Sequence, residues 1–118
     1  MSPFRVVMEV TTDNIESLTR LFAEVTQSLE THLPGTLAWE TFVDESSGRA
    51  LIYEVHENEE AADAYEAHMA SEGFVATAFE LFTSARVTIL NPVQQATWTG
   101  IAERPTSVVL APSFGFSR

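Results

Sequence analysis

The pattern of apolar positions changes period several times along the chain, and each change marks an element. Residues 4–10 (Phe-Arg-Val-Val-Met-Glu-Val) form a compact β-rich run, which reads as a first strand. Ile15, Leu18, Leu21, Phe22, Val25 and Leu29 then recur at helical spacing and leave Glu16, Arg20, Glu24 and Gln27 outside. Asp13, with Glu16 three residues on, predicts a capping box at the start of that helix, and Pro34-Gly35 predicts its end. Leu37, Trp39, Thr41 and Val43 alternate with Ala38, Glu40 and Phe42, a second strand. The five residues from Asp44 to Gly48 read as a turn, and residues 49–56 run back as a third strand. Asn58, Glu59 and Glu60 open a second helix that runs to about Ala70. Ser71 is read as the cap of a further helical stretch carrying Phe74, Val75, Ala78, Phe79 and Phe82. Residues 86–90 read as a fourth strand and residues 107–111 as a short last one; residues 94–105 fit neither pattern.

The order β-α-β-β-α-β predicts an α+β domain of ferredoxin-like arrangement, an antiparallel sheet with both helices on one face. A single domain spans residues 1–118, with a core at 4–90 and a C-terminal extension at 91–118. Helices cover one face only, yet both alternating sets of the hairpin strands carry apolar groups: Leu37, Trp39 and Val43 against Ala38 and Phe42, and Leu51, Tyr53 and Val55 against Ala50 and Ile52. A sheet face left in water should be polar. A second copy of the chain covering that face, in a homodimer, is the economical expectation.

Composition narrows the function classes. Seventeen acidic against six basic residues give a net charge of −11 and show no basic stripe, so no nucleic-acid partner is expected. The absence of cysteine excludes disulfides, thiolate nucleophiles and Cys-based metal sites. No apolar run approaches the roughly 20 residues of a membrane span, and the first ten residues lack the pattern of a signal peptide. No membrane association and a cytoplasmic location are therefore expected. No Ser-His-Asp order, Gly-rich phosphate loop or HExxH motif supports a hydrolase, nucleotide-binding or metal reading.

Between Gly35 and Phe74 stand Gly35, Leu37, Glu40, Gly48-Arg49, Tyr53-Glu54, Ala61, Ala64, His68, Ser71 and Phe74. This pattern resembles the antibiotic biosynthesis monooxygenase family of the dimeric α+β barrel superfamily. The resemblance implies a homodimer whose two sheets join in a barrel, with a pocket in each subunit between helices and sheet. It implies a cofactor-independent monooxygenase acting on an electron-rich aromatic, a quinol or polyketide phenol, whose anion reduces dioxygen directly. No cofactor and no metal are implied: in the haem-degrading branch a Trp stands where this chain has His68, and the axial His would fall on Ala78. The chain departs from the family in having no Asn on its first strand, and His56 where many relatives have Trp.

Within that frame His68 is the expected proton acceptor or substrate-orienting donor, since it shares a helix face with Ala61, Ala64 and Tyr65; the alternative is a structural, hydrogen-bonded histidine. Tyr53 and Trp39 share a strand parity with Leu51 and Leu37 and are expected on the helix side, either as core aromatics with a satisfied polar tip or with Tyr53 as a second catalytic residue and Trp39 as a stacking surface. Tyr65 and Phe74 would shape the cavity, and Arg86 would neutralise an anionic substrate. Glu40, Glu54 and His56 fall on the opposite parity and are read as a buried pair at the dimer seam, with Arg49 or Arg86 as partner. His32 reads as a cation at the end of the first helix. Phe114 and Phe116 would close the pocket or reach the partner. Two other classes stay open: a non-catalytic dimeric binding or interaction protein, and an isomerase or ring-opening hydrolase using the same fold.

Overall fold

A computed structural model describes residues 3–94, 98, 101, 103, 106–111, 113 and 115. Its elements are β1 (Phe4–Thr12), α1 (Ile15–His32), β2 (Thr36–Asp44), β3 (Arg49–His56), α2 (Glu59–Ser71), α3 (Phe74–Leu81), β4 (Phe82–Ile89) and β5 (Ser107–Val109). They build one five-stranded sheet in the order β2-β3-β1-β4-β5. The first four strands are antiparallel, which is the ferredoxin-like arrangement. The short β5 joins the edge parallel to β4, so the sheet is mixed rather than wholly antiparallel. Phe114 and Phe116 lie outside the described residues.

Local chemistry sets the element ends. Asn14, not Asp13, caps α1, its side chain accepting from the Ser17 backbone N–H at 3.1 Å. Thr12 Oγ1 holds the Asn14 N–H at 3.1 Å and so moves the cap one residue along. Glu16 lies 3.5 Å from Arg20 on the exposed face instead of closing a capping box. Asn58 caps α2 as its sequence suggests, accepting from Ala61 N–H at 2.8 Å. The short helix α3 starts at Gly73, in the left-handed region at φ 77°, while the Ser71 hydroxyl turns back to the His68 carbonyl. Strand β4 begins directly at Phe82, four residues earlier than the periodicity indicates, because Phe82 fits the helical repeat and the start of the strand equally.

The register of the β2–β3 hairpin overturns the expected facing. Asp44 pairs with Arg49, so the loop holds four residues and Asp44 belongs to the strand. Counting it in the turn shifts the register by one, and a one-residue shift sends every side chain to the other face. Trp39 lies opposite Glu54 and Thr41 opposite Ile52, on the helix side. Tyr53, expected beside Trp39, instead lies opposite Glu40 on the outer face, with Leu51 opposite Phe42. A bulge between Thr36 and Ala38 brings Thr36 opposite His56.

The core lies between sheet and helices. One part gathers Leu18, Leu21, Phe22, Val25 and Leu29 of α1 with Val10, Ile52, Tyr65 and Met69. The other places Trp98 and Ile101, from the segment after β4, on Phe4, Val6, Ala62 and Ile89. Through Trp98 and Ile101 the segment after β4 adds to the core beside β1, β4 and α2.

Candidate functional site: a buried Tyr–Glu–His network beside an apolar cavity

A cavity of about 110 Å³ lies between the sheet and the helices. Most of its wall is apolar, including Met8, Phe22, Val25 and Ile52; its polar groups are those of Trp39, Glu54, Tyr65, Glu66 and Trp98. Phe79 of α3 lines it and is also 57% exposed, so α3 separates the cavity from solvent.

Three of the polar groups form one network. The Trp39 indole N–H donates to the Tyr65 hydroxyl at 3.1 Å. A side-chain hydrogen bond to Glu54 and the negative charge of that carboxylate both favour the protonated phenol. Burial is the larger cause, and together they push the Tyr65 phenol well above its ordinary value. Glu54 Oε1 lies 2.9 Å from His56 Nε2, and the His56 ring sits 4.8 Å from the Tyr65 ring. On the far side of the imidazole, His56 Nδ1 lies 3.0 Å from Thr36 Oγ1. Thr36 is half-buried and borders a separate open groove with Leu33 and Pro34.

Glu54 is 2% exposed and His56 is fully buried. An acid of this kind, paired with one imidazole and no guanidinium, costs several kcal/mol to desolvate. Well-packed apolar residues would hold the fold at least as well. What the arrangement offers chemically is a carboxylate facing an apolar cavity, a neutral phenol beside it, and an imidazole hydrogen-bonded at both nitrogens on the way to a half-exposed hydroxyl.

The residues singled out by sequence divide cleanly. Trp39 and Tyr65 line the cavity. His68 does not: it lies between α1 and α2, with Nε2 2.7 Å from Ser28 Oγ and its ring 5.7 Å from that of His32. The buried face of α2 is Ala62, Tyr65 and Met69 rather than Ala61 and Ala64, because the larger side chains have more area to remove from water. That rotation carries His68 to the edge of the helical layer. Phe74 packs beside it, ring centroids 6.5 Å apart, at the margin of the core and off the cavity wall. Arg86 is exposed on the outer face opposite Glu9, and Tyr53 shares that face. Glu54 and His56, read as belonging to a dimer seam, are instead inside the subunit.

Trp98 was not found by pattern at all, for it stands in the stretch that fits neither period. It is 1% exposed, tilted against Phe4 at 5.0 Å, and its indole N–H has no hydrogen-bond partner among the described residues. A buried donor left unpaired costs about 1–3 kcal/mol. Among the described residues no group of three or more His, Asp or Glu side chains is placed to hold a metal ion, and no helix is long and apolar enough to cross a membrane.

A ferredoxin-like sheet with an internal cavity and an acid–base network defines a class of small α+β protein. No protein-family model and no curated protein matches the chain. Among solved structures it is similar to MupZ from Pseudomonas fluorescens, with a TM-score of 0.77 and 15% identity over 99% of this chain and 96% of that one. It is similar to Rv0793 from Mycobacterium tuberculosis, with a TM-score of 0.66 and 20% identity over 80% of this chain and 99% of that one. A protein named antibiotic biosynthesis monooxygenase gives a TM-score of 0.64 and 19% identity over 77% and 99%. The chain has the fold of the antibiotic biosynthesis monooxygenases. Of these three, the likeness to MupZ takes in the extension as well.

Proposed function

We propose that this protein is a cofactor-independent monooxygenase acting on a small electron-rich phenol or quinol, with Glu54 as the proton acceptor. The observation that carries the reading is a buried carboxylate facing an apolar cavity, held between a phenol and an imidazole. The shared fold supports it. The acid–base role expected of His68 passes to Glu54, with Trp39 and Tyr65 forming the wall beside it. An engineered apolar cavity of about 150 Å³ accepts benzene. A cavity of about 110 Å³ therefore suits a single ring better than a polycyclic phenol.

In this reading Glu54 takes the phenolic proton, and the phenolate passes one electron to dioxygen. The phenoxyl radical and superoxide combine at a hydrogen-bearing ring carbon, para to the oxygen in a phenol and ortho to it in a hydroquinone, forming a C–O bond and a peroxide. The proton returns from Glu54 to the peroxide, the O–O bond breaks, and water leaves with the ring hydrogen. One phenol and one dioxygen give one quinone and one water. The apolar wall keeps bulk water from the anion. Tyr65, neutral throughout, steadies the Glu54 carboxylate, and His56 with Thr36 offers exchange of the proton with solvent. The outer face, where Leu51, Tyr53 and Phe42 stand among charged side chains, is the surface through which two copies would pair.

Dioxygen uptake by the protein with phenol and hydroquinone tests the reading. Wild type is expected to consume dioxygen saturably, with Glu54→Gln lower by about 100-fold or more and His68→Ala unchanged. Equal uptake by wild type and Glu54→Gln, or loss on His68→Ala alone, would overturn it.

A further inference from the structure

We infer that the Trp98 indole N–H is the anchor for an oxygen atom of the bound molecule, so that the cavity selects a ring carrying a carbonyl or phenolic oxygen over a plain hydrocarbon. The inference rests on the reading above, that a small molecule occupies this cavity. Three facts carry it. Trp98 forms part of the cavity wall. Its ring is almost wholly buried, and its N–H has no partner among the described residues. The other indole and the phenol at the wall are already engaged: Trp39 donates to Tyr65, and Tyr65 to Glu54.

An indole nitrogen can only donate, so the matching group must be an acceptor. Trp98 packs over β1 and β4 through Phe4, Val6 and Ile89, whereas Glu54 rises from β3, the neighbour of β1 on its other side. A molecule held by one oxygen at Trp98 therefore presents another part of its ring towards β3. That division of labour suits a ring with two functional positions, one accepting a hydrogen bond and one yielding a proton. It also gives the C-terminal extension a role at the site, through a wall residue whose donor has no partner among the described residues.

Benzaldehyde and toluene test this, being alike in shape and differing in the acceptor oxygen. The two indole N–H signals are followed by ¹⁵N–¹H correlation, with Trp39→Phe used for assignment. Benzaldehyde is expected to move the Trp98 signal downfield, and toluene is expected to leave it near its free position. Trp98→Phe should weaken benzaldehyde by about 10-fold while toluene changes by about 2-fold or less. Should the Trp98 signal of wild type not respond to bound benzaldehyde, or the substitution weaken both probes alike, Trp98 only packs and the inference fails while the cavity reading stands. Entry of neither probe would end the cavity reading and this inference together. Because the wild-type spectrum decides by itself, the test survives a Trp98→Phe variant that does not fold.

Discussion

Tyr65 shows how far burial can change one side chain. Its phenol is pushed well above the ordinary 10.0, chiefly by loss of solvent and then by the charge of Glu54. The direction of the pH effect follows. Between pH 10 and its raised value, the folded chain keeps a proton that the unfolded chain has lost, so the folded state binds more protons. Tyr65 therefore gives stability that is complete below about pH 10 and declines as the pH rises through the alkaline range. Urea unfolding at a series of alkaline pH values should show this decline in wild type and a flatter one in Tyr65→Phe. Parallel declines would mean that the phenol is not held protonated. At the same scale, His68 was legible as a histidine on a helix, but its direction was not. The three-residue step from Tyr65 turns it from the cavity to Ser28.

Elements were the most legible scale, and their junctions the least. Alternation and helical spacing name β1 to β5 and α1 to α3 in order, yet one residue in the β2–β3 loop reverses what the hairpin presents to the core. The loop is set by contacts across the molecule as well as by its own turn chemistry. Gly48 adopts φ 69°, and its carbonyl accepts from the Thr12 N–H at 2.8 Å, tying the hairpin end to β1. A Cβ there would drive into the Thr12 carbonyl oxygen, whereas at Gly73, also left-handed, it would meet open space. Gly48→Ala is thus expected to cost about 2 kcal/mol or more, and Gly73→Ala about 1 kcal/mol. Chemical denaturation of both variants separates backbone strain from the clash; equal losses would show that the approach to Thr12 is not restrictive.

At the scale of the whole molecule the outer face of the sheet stands out, because no helix among the described residues covers it. Phe42 is 56% exposed on β2, beside Leu51 of β3. With helices on one side only, such a face is the part of the chain best suited to meet a second copy. Phe42 contributes little to the core of one subunit, so Phe42→Asp should leave thermal unfolding of the monomer nearly unchanged while turning a dimer into monomers. Sedimentation equilibrium of wild type and variant decides it. A monomeric wild type would reject pairing, and an unaltered dimer in the variant would place the contact elsewhere.

By itself the sequence determined the order of elements, the ferredoxin-like class, the helix faces of α1 and the presence of a polar group or two among aromatic neighbours. These depend on period, on turn formers and on burial of apolar area, all of which act over a few residues. The tertiary structure alone decided that Glu54 and His56 face inward and Tyr53 outward, because facing depends on the register between strands. It also decided that Trp98 reaches the cavity. That position rests on packing against Phe4 and Ile89 rather than on any local period, so no stretch of neighbouring residues could announce it.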